Sequence, residues 1–124
     1  ENVPAITGPA LTEERKNRIL GEARFSRGLT YFNLTRLFGK VPIIERATKS
    51  PNQDLLVRRN EVAEVYTQVL NDLLEAEKLL PATRPNKYFP AKGSARALLA
   101  RVYMTRNSQG DLASALAECE EVMA

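Results

Sequence analysis

The side chains of this chain that could act on a ligand are carboxylates, guanidinium groups and aromatic rings, because the sequence contains no histidine. That absence removes the commonest general base and the commonest metal ligand together. A single cysteine, Cys119, excludes an intramolecular disulfide and a multi-cysteine zinc site. Carboxylate chemistry is what remains, and Glu75, Glu77, Glu118, Glu120 and Glu121 are the residues to weigh. Glycoside hydrolysis needs two carboxyls facing one another across roughly 5–10 Å. Glu118 and Glu121 are neighbours on one helix face and look outward together, which is the pattern of a solvated surface. The composition therefore argues against an enzyme, and no catalytic residue, cofactor or metal ligand is assigned.

Two further groups invite a functional reading. Arg24, Arg27 and Arg36 interrupt an apolar stretch. They could clamp an anion, but a fork of that kind needs convergent partners. The simpler expectation is that their stems pack while their heads pair with carboxylates such as Glu22 or with helix ends. Tyr88 and Phe89 lie between prolines. The apolar C–H face of a sugar ring complements an aromatic face, so an exposed Tyr88 is the candidate ligand-binding residue. Against it stands the reading in which Phe89 plugs the core and Tyr88 covers it. Cys119 falls on the apolar side of its helix and reads as a small buried hydrophobe.

These residues need a scaffold. The chain has 124 residues, 44% of them hydrophobic and 27% charged, which suits one packed domain and excludes a disordered tail. No apolar run approaches the roughly 20 residues needed to cross a bilayer. The basic excess sits in residues 1–59, with 11 Lys/Arg against 6 Asp/Glu, yet no block of like charge forms a basic arm. Nucleic acid is therefore not an expected partner. The chain starts without a methionine and stops within a helical pattern, so it reads as a piece of a longer protein.

The periodicity predicts four helices. Residues 1–11, with two prolines and a glycine, form an irregular lead-in. Thr12 caps the first helix, which carries Glu13 and Glu14 in its first turn and ends at Gly39 as a left-handed terminal residue. Its second half is apolar over a wide arc, as for a helix flanked on two sides. Pro42 forces Val41 into extended geometry, and residues 40–59 read as one long loop. Asn60 caps the second helix, whose Val65, Val69, Leu70, Leu73 and Leu74 follow spacings of three and four until Pro81. A stiff connection over 81–91 leads to a third helix from Lys92 to Arg106. Asn107–Gly110 is a turn, and Asp111 caps the fourth helix. The expected fold is all-α: two helical hairpins stacked as tetratricopeptide-like repeats, one domain over residues 1–124.

Helices three and four resemble a tetratricopeptide unit, with Tyr103 facing the small Ala115, although the turn is three residues longer than the usual spacing and Arg96 stands where tryptophan is usual. A more specific resemblance covers about residues 19–123. The run Gly21–Leu34 (GEARFSRGLTYFNL), then Leu37–Ile43 (LFGKVPI), then Lys92–Met104 (KGSARALLARVYM) resembles, in order, the motifs of the SusD/RagB family. Ser26 and Gly28 replace that family's usual leucine and alanine and are expected to lighten the packing there.

The resemblance implies a lipid-anchored, outward-facing protein of the Bacteroidetes outer membrane, which binds a glycan and acts with a SusC-like TonB-dependent transporter. This chain would be its helical scaffold and partner-contact section, and Cys119 is not the lipidated cysteine. The family's glycan-contact residues cannot be carried onto positions of this chain, so Tyr88 rests on its own chemistry. The alternative from the helical pattern alone is a stand-alone tetratricopeptide-type adaptor holding a peptide in its groove. The 40–59 insertion separates the two, because simple adaptors use short uniform turns.

Overall fold

The computed structural model describes residues 12–45 and 57–124. The lead-in at 1–11 and the middle of the expected 40–59 loop lie outside them. Four helices follow in order: α1 (Glu13–Phe38), α2 (Val62–Leu79), α3 (Lys92–Arg106) and α4 (Asp111–Met123). No strand occurs among the described residues. The fold is all-α, as the periodicity predicts. α1 packs along α2 and α3 along α4, while α2 also packs on α3 and α1 only touches α3. Each helix thus leans on its neighbour in sequence, in the manner of stacked helical hairpins.

The core lies where the two hairpins meet. Phe32 from α1, Val65, Val69, Leu70 and Leu73 from α2, and Leu98, Leu99 and Val102 from α3 form one buried cluster, closed by Val41. Ala76, Leu80 and Ala95 form a smaller one, with Phe25 against it. Two glycines bring α1 close to α2. A β-carbon on Gly28 would meet Leu73 Cδ2 at 3.0 Å, and one on Gly21 would meet Leu79 Cβ at 3.1 Å. Gly28 therefore does not lighten the packing; it lets Leu73 seat against the α1 backbone. Ser26 is exposed and takes no part in it. Gly28→Ala is expected to be near neutral, because a helix-propensity gain of about 1 kcal/mol offsets the squeeze on Leu73. Gly28→Leu overfills the seam and should cost about 1–3 kcal/mol in chemical denaturation.

The helix ends correct several expectations. Thr12 caps α1 as expected, its hydroxyl accepting from the Arg15 N–H at 3.3 Å. Gly39 does end α1 with a positive φ of 71°, but ψ is −114°, outside the left-handed helical basin and open to glycine alone. Asn60 does not cap α2. Glu61 holds that place, and its N–H donates to Glu64 Oε2 at 2.9 Å. Asn60 instead closes the base of the loop. Its N–H donates to the Val41 carbonyl at 3.0 Å, and its Oδ1 accepts from the Ile43 N–H at 2.9 Å. Lys40 and Glu61 add an ion pair at 2.6 Å across the same base. Asp111 is the first residue of α4 and not its cap, a place that Gly110 takes with φ 85°. Asp111 still serves the turn, for its carboxylate accepts from the Ser108 N–H at 2.8 Å and from Arg106 Nε at 2.9 Å. Arg106, and then Ser108, hold that carboxyl below its ordinary pKa.

The outward faces differ more. Leu37 and Phe38, expected to be flanked on two sides, are exposed, because α1 has a full neighbour only in α2. α4 packs on α3 alone, through Asp111 and Ala115. Leu112, Leu116 and Met123 therefore face outward, and so does Cys119, which is exposed and not a buried hydrophobe. No helix among the described residues is long and apolar enough to cross a membrane.

Candidate functional site

The connection from α2 to α3, residues 80–91, is a built loop. Pro81, Pro85 and Pro90 fix φ at three points and remove three donors. The loop's ends are tied, for the Lys92 N–H donates to the Pro81 carbonyl at 2.9 Å. At its tip, Asn86 Oδ1 accepts from the Tyr88 N–H at 2.9 Å, and the Asn86 carbonyl accepts from the Phe89 N–H at 3.4 Å. An asparagine that bonds its own backbone two residues on makes a local turn without help from a helix or sheet. Arg84 anchors the loop to α1 through an ion pair with Glu22, and its guanidinium lies 4.8 Å from the centre of the Phe89 ring.

This frame presents Tyr88 to solvent, at 95% exposure. Phe89 is half exposed beneath Arg84 and does not plug the core, which corrects the structural expectation for this pair. The core is already filled by Phe32 and the aliphatic residues of α2 and α3, so no hole remains for Phe89. Two shallow clefts flank the tyrosine. One, of about 210 Å³, is lined by Phe25, Lys87, Tyr88, Phe89, Pro90 and Ser94. The other, more open and of about 640 Å³, is lined by Pro85, Asn86, Lys87 and Tyr88. Behind the loop, a third pocket of about 390 Å³ brings Arg84 and Thr83 opposite Glu14, Asn17 and Arg18 of α1.

The arginines of α1 go elsewhere. Arg27 grips Asp72 with both arms of its guanidinium, Nε to Oδ2 and an NH2 to Oδ1, each at 2.7 Å. Arg24 adds a third bond to Oδ1 at 3.0 Å. Asp72 is fully buried, and its hydrogen bonds raise the pKa of Arg27. Their partner is therefore Asp72 and not Glu22, which Arg84 takes. Arg36 lies 5.1 Å over the Phe32 ring. None of the three lines the clefts around Tyr88 or the pocket behind its loop. The sequence does carry a signal for this pair: Asp72 stands in the stripe Val65, Val69, Ala76, where every other member is apolar and buried.

The carboxylates gather on Arg96. Its Nε meets Glu77 at 2.9 Å, and its other arm meets Glu121 at 3.0 Å, so one side chain of α3 ties α2 to α4. Glu118 is half-buried beside them, and its pKa is raised by burial and by Glu77. Glu121 is exposed, as a solvated face requires, while Glu118 is more enclosed than that reading has it. Tryptophan's usual place in a helical repeat is filled here by an ionic clasp. Glu75 pairs with Lys78 at 2.8 Å and points away. Among the described residues, no three acidic or cysteine side chains are grouped to hold a metal.

Comparison with known proteins agrees with this geometry. The family model SusD-like_3, described as starch-binding associating with outer membrane, matches residues 5–104. SusD-like protein P2 of Formosa agariphila is 35% identical over 111 residues, covering 90% of this chain and 21% of that protein. The solved structure of a laminarin-binding SusD-like protein superposes with a TM-score of 0.83 at 34% identity, over 97% of this chain and 25% of its own. A structure with xylogluco-oligosaccharide gives a TM-score of 0.84 at 27% identity, over 98% and 25%. The chain thus spans about a fifth to a quarter of the length of these relatives. With its ordered motifs, its four helices and a family match over most of its length, this chain belongs to the SusD-like family of starch-binding proteins associated with the outer membrane.

Proposed function

We propose that this chain is the helical scaffold section, a single domain, of a lipid-anchored outer-membrane protein that captures a glycan and passes it to a SusC-like TonB-dependent transporter. The work is binding and not chemistry, and it needs no cofactor. The lipid-bearing cysteine is a residue other than Cys119, which lies inside α4. Membership of a glycan-binding family carries this reading, since relatives of the same fold bind laminarin or hold a xylogluco-oligosaccharide. Within the chain, Tyr88 is the sugar platform. Its ring is exposed, and three prolines and the Asn86 turn hold its backbone before any ligand arrives, so little ordering entropy opposes binding.

The test joins glycan binding to partner capture. The protein carrying this chain, extracted from membranes under mild conditions, should co-purify with a TonB-dependent transporter and should bind a polysaccharide in affinity electrophoresis. Recovery without any transporter, together with no retardation by any glycan, would refute the proposal.

A further inference from the structure

We propose that the Tyr88 loop selects acidic saccharides, with Lys87 binding a carboxylate or sulfate on the sugar whose ring stacks on Tyr88. This rests on Tyr88 being the sugar platform proposed above. Lys87 and Tyr88 together line both clefts that flank the tyrosine, so a ligand in either touches both residues at once. Residues 81–92 carry Arg84, Lys87 and Lys92 and no acidic side chain. Arg84 is neutralised by Glu22 and covered by Phe89. Lys87 is exposed and, like the less exposed Lys92 at the start of α3, has no carboxylate partner among the described residues, whereas Lys16, Lys40 and Lys78 are each paired. Its charge is left over for a ligand.

The chemistry of the tip supports the same class. A neutral sugar presents hydroxyls, which are well matched by side chains that can accept as well as donate. A lysine ammonium offers three donors and no acceptor. Its bonds are about twice as strong when the acceptor is itself an anion. The loop is also stiff, so Lys87 and Tyr88 keep a common orientation towards one site.

The protein carrying this chain is tested against polygalacturonate, a carboxylated probe, carrageenan, a sulfated one, and laminarin, a neutral one. At low salt, at least one acidic probe should be retained roughly ten-fold or more above laminarin, a difference of about 1.4 kcal/mol. Lys87→Glu should abolish that excess, weakening the acidic probes far more than laminarin, while Lys87→Arg should keep it. The excess should also collapse in high salt, because the contact is solvent-exposed. Which acidic probe is retained separates carboxylate from sulfate as the group read. Tyr88→Ala should weaken all three probes. Equal retention of acidic and neutral probes, unmoved by Lys87→Glu, overturns the acidic preference and leaves the sugar platform standing. Binding of every probe unmoved by Tyr88→Ala overturns the platform and this inference with it. Both positions are exposed, and unchanged circular dichroism would confirm that the variants fold.

Discussion

Phe32→Ala is expected to cost about 3–5 kcal/mol of stability, read as a fall in the denaturant midpoint at unchanged slope. Phe32 is completely buried and is the largest side chain in that state. Its ring meets Tyr66 edge to face, with centroids 6.4 Å apart, and Arg36 covers it from the other side. Alanine would remove contacts with α2 and leave a hole among aliphatic residues that helix backbones keep from closing. The loss is a large fraction of a domain's usual 5–15 kcal/mol, so helical signal should fall at physiological temperature. Phe25→Ala is the control: that ring is only partly buried, and its loss should be distinctly smaller. A cost below about 1 kcal/mol for Phe32→Ala would mean that the α1–α2 seam is not the core.

The second large effect is an asymmetry. Removing Arg24 and Arg27 together, as the double alanine variant, should cost about 3–5 kcal/mol, because Asp72 is left buried without either guanidinium and with Gln68 as its remaining side-chain donor. Asp72→Ala should cost less, about 1–2 kcal/mol, since the two arginines are 42% and 32% exposed and can turn to water. Replacing all three by leucine or methionine should recover most of the loss, as buried ion groups exchanged for packed hydrocarbon often do. Chemical denaturation of the four proteins measures all of this. If Asp72→Ala proved the costlier change, the pair would be holding the arginines in place for a ligand and not serving α1–α2 packing.

The sequence pattern predicts the helices well, because each is bounded by a strong local signal. Pro81, Gly39 and Gly110 act through their own backbone chemistry, Thr12 acts through its hydroxyl, and α2 has a clean apolar stripe. What the pattern hides are the choices that depend on distant residues. Asn60 looks like a cap because caps are asparagine-rich, yet Val41 and Ile43 offer it better partners from across the loop. Arg27 and Asp72 are 45 positions apart, and no local rule joins them. Cys119 has the periodicity of a core residue, but periodicity says which residues share a face and not whether that face has a neighbour. The same limit applies to Leu37 and Phe38. The exposure of Tyr88 is legible from its setting among prolines, while the exposure of Phe89 emerges only once the core is seen to be full without it.

The pinched neck formed by Lys40, Val41, Asn60 and Glu61 has a corollary. The two segments entering and leaving are clasped to each other at this neck, so the ends of α1 and α2 are fixed relative to one another there. Doubling the length of such an excursion raises its closure entropy by only about 0.6 kcal/mol. A change in the length of chain at this place can therefore be absorbed at small entropic cost while the helix ends that hold the neck stay where they are.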